Sequence, residues 1–110
     1  MHKLVATEAI RLILGILEET SFAYDCSTAS EFHRTAAEIF AREGFEVRQE
    51  VTVRDRGDGR SGRLDLVLDD EFAVEIDWIT PRRKSKAKIR SWGGPGVIYC
   101  RESGAHWWTT

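Results

Sequence analysis

Little in this chain points to a soft-metal or redox site. It has two cysteines, Cys26 and Cys100, far apart and in no metal-binding or redox spacing. Two idle thiols in a reducing cytoplasm is the plain reading, and a cytoplasmic protein is expected. None of the three histidines, His2, His33 and His106, stands three or four residues from another histidine or a cysteine. A zinc site is therefore not expected. No apolar run approaches the roughly 20 residues of a membrane helix. The short run Leu12 to Leu17 follows Glu8 and Arg11, with no small-residue cleavage site after it, so it does not read as a signal peptide. Repeats and low-complexity tracts are absent, and there are only two prolines, Pro81 and Pro95.

What is present suits one globular domain. With 110 residues the chain is long enough to bury a core without staples. The net charge of -2 conceals an uneven distribution. Six of the 16 basic residues (Arg82, Arg83, Lys84, Lys86, Lys88, Arg90) fall in one segment without an acid, leaving ten bases against 18 acids elsewhere. A basic segment on an acidic body is a candidate contact for phosphates, although short basic stretches often serve only as solvated helix faces.

The periodicity predicts a helix from Leu4 to Glu19, with Ala6, Ala9, Ile10, Ile13, Leu14 and Leu17 on its apolar face. Thr20 to Ala29 reads as a connection. Ser30 suits the N-cap of a second helix, Glu31 to Glu43, closed by Gly44. The period then changes to two. Phe45, Val47, Val51 and Val53 alternate with polar residues, with Gln49 interrupting the apolar side. A glycine-rich tip, Asp55 to Gly62, leads to a second strand, Arg63 to Leu68. An Asp69-Asp70 turn and a third strand, Phe72 to Ile79, follow. Pro81 opens a short basic helix, and a fourth strand spans Val97 to Arg101. The end, with Trp107 and Trp108, suits either a short strand or a tail docked by its indoles. The expected fold is α/β (α+β), in the order α-α-β-β-β-α-β: a mixed four-stranded sheet flanked by helices. It is a single domain over residues 1–110, with 1–29 as N-terminal helix and linker and 31–101 as core.

Alternation on the third strand sets Glu75 and Asp77 on one face, roughly 7 Å apart. On the second strand Asp65 is expected opposite Leu64, Leu66 and Leu68, on the face of Val67 and Asp69. A short turn between the strands then brings Asp65 close to Glu75. Converging carboxylates repel unless a cation or raised pKa values relieve them. Oxygen ligands of this type suit Mg²⁺ or Mn²⁺. The bland alternative is a solvent-exposed strand face carrying acids for solubility.

The stretch Gly62-Arg63-Leu64-Asp65-Leu66-Val67-Leu68, followed by Phe72-Ala73-Val74-Glu75-Ile76-Asp77, resembles the core of the PD-(D/E)XK nuclease superfamily. The resemblance covers roughly residues 31–101, including the α-β-β-β-α-β order. It implies a restriction-endonuclease-like core and Mg²⁺- or Mn²⁺-dependent cleavage of nucleic acid, DNA rather than RNA. Asp65 and Glu75 would hold the metal, with the Ile76 carbonyl and Asp77 as further ligands. Glu31, or failing it Glu38, matches a helix glutamate of the family. Asp77 stands where the family has lysine. The chain is also similar to small bacterial and phage members with Glu-x-Asp and an Arg/Lys-Lys-Ser-x-x-Lys segment, here Arg83-Lys84-Ser85-Lys86-Ala87-Lys88. That likeness implies that Lys84 replaces the missing lysine, with Lys88 on the same helix face. The segment from Arg82 to Arg90 would track the nucleic-acid backbone, and a homodimer fits so small an enzyme. Two other functions stay open: a metal-free nucleic-acid-binding module of the same fold, and an interaction domain using Trp92, Trp107 and Trp108.

Overall fold

A computed structural model describes residues 5–110. The expected helix start at Leu4, and His2, lie outside them. The elements are α1 (Ala6–Ala23), α2 (Ala29–Arg42), β1 (Val47–Val53), β2 (Gly62–Leu68), β3 (Phe72–Asp77), α3 (Arg83–Trp92), β4 (Gly96–Cys100) and β5 (His106–Thr109). The fold is mixed α and β, as the periodicities predict, but with five strands rather than four. The tail that could have been a strand or a docked coil is a strand: it pairs antiparallel with β4, setting Val97 opposite Trp108 and Ile98 opposite Trp107.

The strands lie in sequence order, β1-β2-β3-β4-β5. The pairs β1–β2 and β2–β3 are antiparallel, and β3–β4 is parallel, reached through α3. A parallel pair requires such a crossover, whereas β2 and β3 need only a hairpin. Asp69 and Asp70 both have positive φ, 56° and 52°, and the Glu71 N–H donates to the Leu68 carbonyl. This is the mirror-image turn whose twist suits a two-residue hairpin.

Helices α1 and α2 cover one face of the sheet. Ile10, Ile13 and Leu17 join Phe32, Ala36 and Phe40 over Leu66, Leu68, Val74 and Val97. On the other face Ile89 of α3 packs among Leu64, Val67, Ala73 and Ile98. Every residue of β3 is buried, so this strand is the centre of the molecule.

Three features differ from the sequence expectation. Helix α1 runs on to Ala23, and Thr20 is buried within it with its hydroxyl satisfied by the Ile16 carbonyl. Thr28, not Ser30, caps α2, its hydroxyl accepting the Glu31 N–H at 3.1 Å. The third change concerns the faces of β1 and β2. Leu64 shares a cluster with Val67, while Leu66 and Leu68 belong to the opposite one. Likewise Val47 lies against one cluster and Val51 and Val53 against the other. Strict alternation would have kept each set together. Both strands therefore switch faces at one level, where Glu50 takes a φ of 58° and the ladder skips from Gln49–Leu66 to Val51–Leu64. The residue opposite Glu50 at this level is Asp65.

Candidate active site at the β2–β3 gap

The β2–β3 ladder ends at Leu66–Val74. The next pair in register would be Asp65 and Glu75. Here side chains take over from backbone pairing. The Asp65 N–H donates to Glu75 Oε2 at 2.8 Å, and the Ile76 N–H donates to Asp65 Oδ2 at 2.8 Å. Two carboxylates thus fill the gap between strands and satisfy amides that would otherwise be orphaned. The sequence expectation that Asp65 and Glu75 meet holds in this geometry. The N–H and C=O of one strand residue point to the same side, so the Ile76 carbonyl also faces the gap.

Glu75 is 1% exposed. Burial first, and repulsion from Asp65 second, push its pKa up from 4.5 to about 8, against the opposing pull of Lys88. Lys88 of α3 forms an ion pair with Glu75 Oε1 and also donates to the Arg63 carbonyl at 3.0 Å. Its stem runs over Gly62, where an added Cβ would come within 2.9 Å of Lys88 Cδ and 2.8 Å of Arg56 Cβ. A side chain at position 62 would therefore displace the lysine.

The lysine that reaches Glu75 is Lys88, whereas the resemblance favoured Lys84. The reason is the register of α3 over β3. The helix runs antiparallel to the strand, with Ser85 bonded to Asp77, Lys88 paired with Glu75 and the Trp92 indole donating to the Glu71 carbonyl. In that register Lys84 lies beyond the end of β3, and it is exposed.

Asp77 has other partners. Its carboxylate accepts the Arg82 N–H at 2.8 Å, Arg82 Nε at 3.0 Å and the Ser85 hydroxyl at 2.8 Å. It closes the N-terminus of α3, satisfying an orphan amide there. Glu31 is likewise occupied: its carboxylate accepts the Ser27 N–H at 3.0 Å and the Ser27 hydroxyl at 3.2 Å, at the start of α2. Glu38 is exposed.

Sequence reasoning overlooked His33. Its Nε2 lies 3.7 Å from Asp65 Oδ2 and is buried without a hydrogen-bond partner. No ligand spacing along the chain marks it, because α2 and β2 meet only through the fold. Among the described residues no group of three or more His, Cys, Asp or Glu side chains is arranged to hold a metal ion. The converging donors are the Asp65–Glu75 pair, with His33 Nε2 beside it. Of these, only the two carboxylates are oxygen donors of the kind Mg²⁺ uses, one or two at a time with waters for the rest.

The remaining basic residues of the α3 segment are dispersed. Lys86 Nζ and Arg90 Cζ lie 5.7 and 5.8 Å from the centre of the Trp107 ring. Arg83 and Lys84 are exposed. No helix among the described residues is long and apolar enough to cross a membrane. Comparisons with protein-family models, with curated proteins and with solved structures find no match to this chain.

Proposed function

We propose that this protein is a divalent-cation-dependent nuclease of the PD-(D/E)XK kind, acting on nucleic acid and most readily on DNA. The observation that carries the reading is the gap between β2 and β3, where Asp65 and Glu75 are joined by Lys88 from the opposite layer. Glu75 is buried beneath a helix whose lysine is aimed at it, an arrangement that a decorative surface acid does not need. The element order and the parallel β3–β4 pair also agree with the restriction-endonuclease-like core that the sequence resembles.

In this reading Asp65, Glu75 and the Ile76 carbonyl hold the cation, and His33 Nε2 offers a third side-chain donor. A bound Mg²⁺ or Mn²⁺ would supply Lewis acidity and a lowered water pKa. The protein's own groups do the positioning. Lys88 fixes Glu75 and presents positive charge where negative charge gathers on the phosphoryl oxygens as water attacks phosphorus and the leaving oxygen departs. Asp77 acts at one remove, anchoring the helix that carries Lys88.

The test is incubation with supercoiled plasmid, linear duplex, single-stranded DNA and RNA, in Mg²⁺, Mn²⁺ or EDTA, beside Glu75→Ala. Metal-dependent cleavage that the substitution abolishes supports the proposal. Failure to cut any substrate, with salt-sensitive binding kept in EDTA, overturns it in favour of a binding scaffold.

A further inference from the structure

We infer that the nucleic-acid backbone enters along the groove over the β1–β2 pair, with Arg63 and Arg56 holding its phosphates, and not along α3. This rests on the nuclease reading and specifies its substrate path.

The basic row of α3 is largely engaged within the molecule. Arg82 is bonded to Asp77, Lys88 to Glu75 and the Arg63 carbonyl, and Lys86 and Arg90 face Trp107. Of the six, Arg83 has no described partner of this type, and Lys84 lies near Asp58 of the hairpin tip. Such a helix is attached to its own protein by the charges that would otherwise grip a ligand.

The groove has the opposite character. It encloses about 510 Å³, is predominantly polar, and is lined by Glu50, Arg56, Ser61, Arg63 and Asp65 among others. Its floor therefore includes one of the two paired acids. Arg63 stands two residues before Asp65, roughly 7 Å along the strand. The Arg63 side chain is 69% exposed and pairs with Glu50, itself 60% exposed, at 3.1 Å. An exposed pair of this type contributes little, so exchanging Glu50 for a phosphate costs little. The arginine fork then gains a bidentate anion. Arg56 projects from the hairpin tip, held by Asp58 at 3.1 Å. Glu50 itself keeps a left-handed backbone that is unfavourable for a residue with a side chain. Strain of this kind is held where surroundings impose it, and it clusters at functional sites. Here it lies directly across the ladder from Asp65, at the level where β1 and β2 switch faces.

The ligand chemistry is a phosphodiester backbone, and DNA and RNA share it. The experiment measures fluorescence anisotropy of labelled single-stranded DNA, its duplex and an RNA of the same sequence, in EDTA over a series of KCl concentrations. The proteins are the full chain, Arg63→Ala, Arg56→Ala, Glu50→Gln and the double variant Arg83→Ala/Lys84→Ala, each shown to melt as the parent does. Expected is about tenfold weaker binding for Arg63→Ala with a salt slope shallower by about one, a smaller loss for Arg56→Ala, and tighter binding for Glu50→Gln. The double variant on α3 should lose less than Arg63→Ala alone. An equal or greater loss in that double variant overturns the inference while leaving the nuclease reading intact. If the parent chain binds none of these probes, the path has no ligand and the inference fails; the nuclease reading fails separately, if the Mg²⁺ and Mn²⁺ incubations show no cleavage. Whichever probe shows the largest Arg63 dependence identifies the preferred strand.

Discussion

The ammonium of Lys88 rests on the carboxylate of Glu75, so positive charge reaches the paired acids from the helix and not from the strand. The position two residues after Glu75 is thereby released for another use, and Asp77 takes it as the anchor of α3.

Removing this lysine should therefore matter far more than removing its helical neighbour. Lys88→Met is expected to lower cleavage by about 10²–10³-fold, the loss typical of one preorganised charge at a reacting centre. Lys84→Ala should stay within about threefold of the parent. Single-turnover rates with saturating metal measure both. A larger loss for Lys84→Ala than for Lys88→Met would assign the lysine role to Lys84 after all.

Glu75 makes stability depend on pH when no divalent cation is present. Its pKa rises from 4.5 to about 8 on folding, so the folded state holds a proton that the unfolded chain has released between those values. Stability therefore falls as pH climbs through that window and levels off above it. The neutral isostere Glu75→Gln lacks this dependence. Relative to Glu75→Gln, the parent should lose on the order of a few kcal/mol between pH 5 and 8.5 in EDTA. Urea unfolding of the two proteins across that range gives the difference directly. A constant gap would mean that Glu75 is already ionised at pH 5. Adding Mn²⁺ at pH 8 should restore stability to the parent alone.

His33 should tune which cation works. Imidazole is a better ligand for Mn²⁺ than for Mg²⁺, which prefers oxygen. Loss of the Nε2 beside Asp65 in His33→Ala is expected to weaken Mn²⁺ binding about tenfold and Mg²⁺ binding much less. Calorimetric titration of each ion into the two proteins tests this, and equal effects on both ions would remove His33 from the metal's surroundings.

The hairpin turn between β2 and β3 has room for improvement. Asp69 and Asp70 both occupy left-handed backbone, but only Asp69 uses its side chain within the turn region, accepting the Glu46 N–H at 2.8 Å. Asp70 makes an exposed pair with Arg48. Asp70→Gly relieves the backbone and gives up that weak pair, for an expected gain of about 0.5–1 kcal/mol in thermal or urea unfolding. Destabilisation would show that the Arg48 pair outweighs the turn.

Much of this arrangement was legible along the chain. The 3.6-residue period located α1 and α2, the two-residue period located the strands, and Asp65 and Glu75 followed from a short turn between them. What escaped depended on three-dimensional register. Lys84 and Lys88 share a helix face, and only the antiparallel run of α3 over β3 selects the second. The switch of faces at Glu50 has no local signature, because a left-handed glutamate is imposed by its surroundings and not favoured by its own chemistry. The interrupted alternation at Gln49 was its trace. His33 reaches Asp65 only because α2 packs over β2, a relation that no spacing encodes. Glu31 was credited with chemistry on the strength of its place in the helix, and the same place makes it a capping partner.

Helix α3 is fastened by a different kind of contact from the rest of the fold. Its inward residues are Ser85 and Ile89, so one aliphatic side chain and a row of polar tethers hold it to the sheet. The two helices on the other face have many apolar anchors. The element that delivers Lys88 thus has fewer buried apolar contacts than the two-helix layer, and sparse apolar contact favours local opening. Its amides should exchange with solvent well before those of β3. Each such opening would withdraw the lysine from the paired acids while leaving the acids in place.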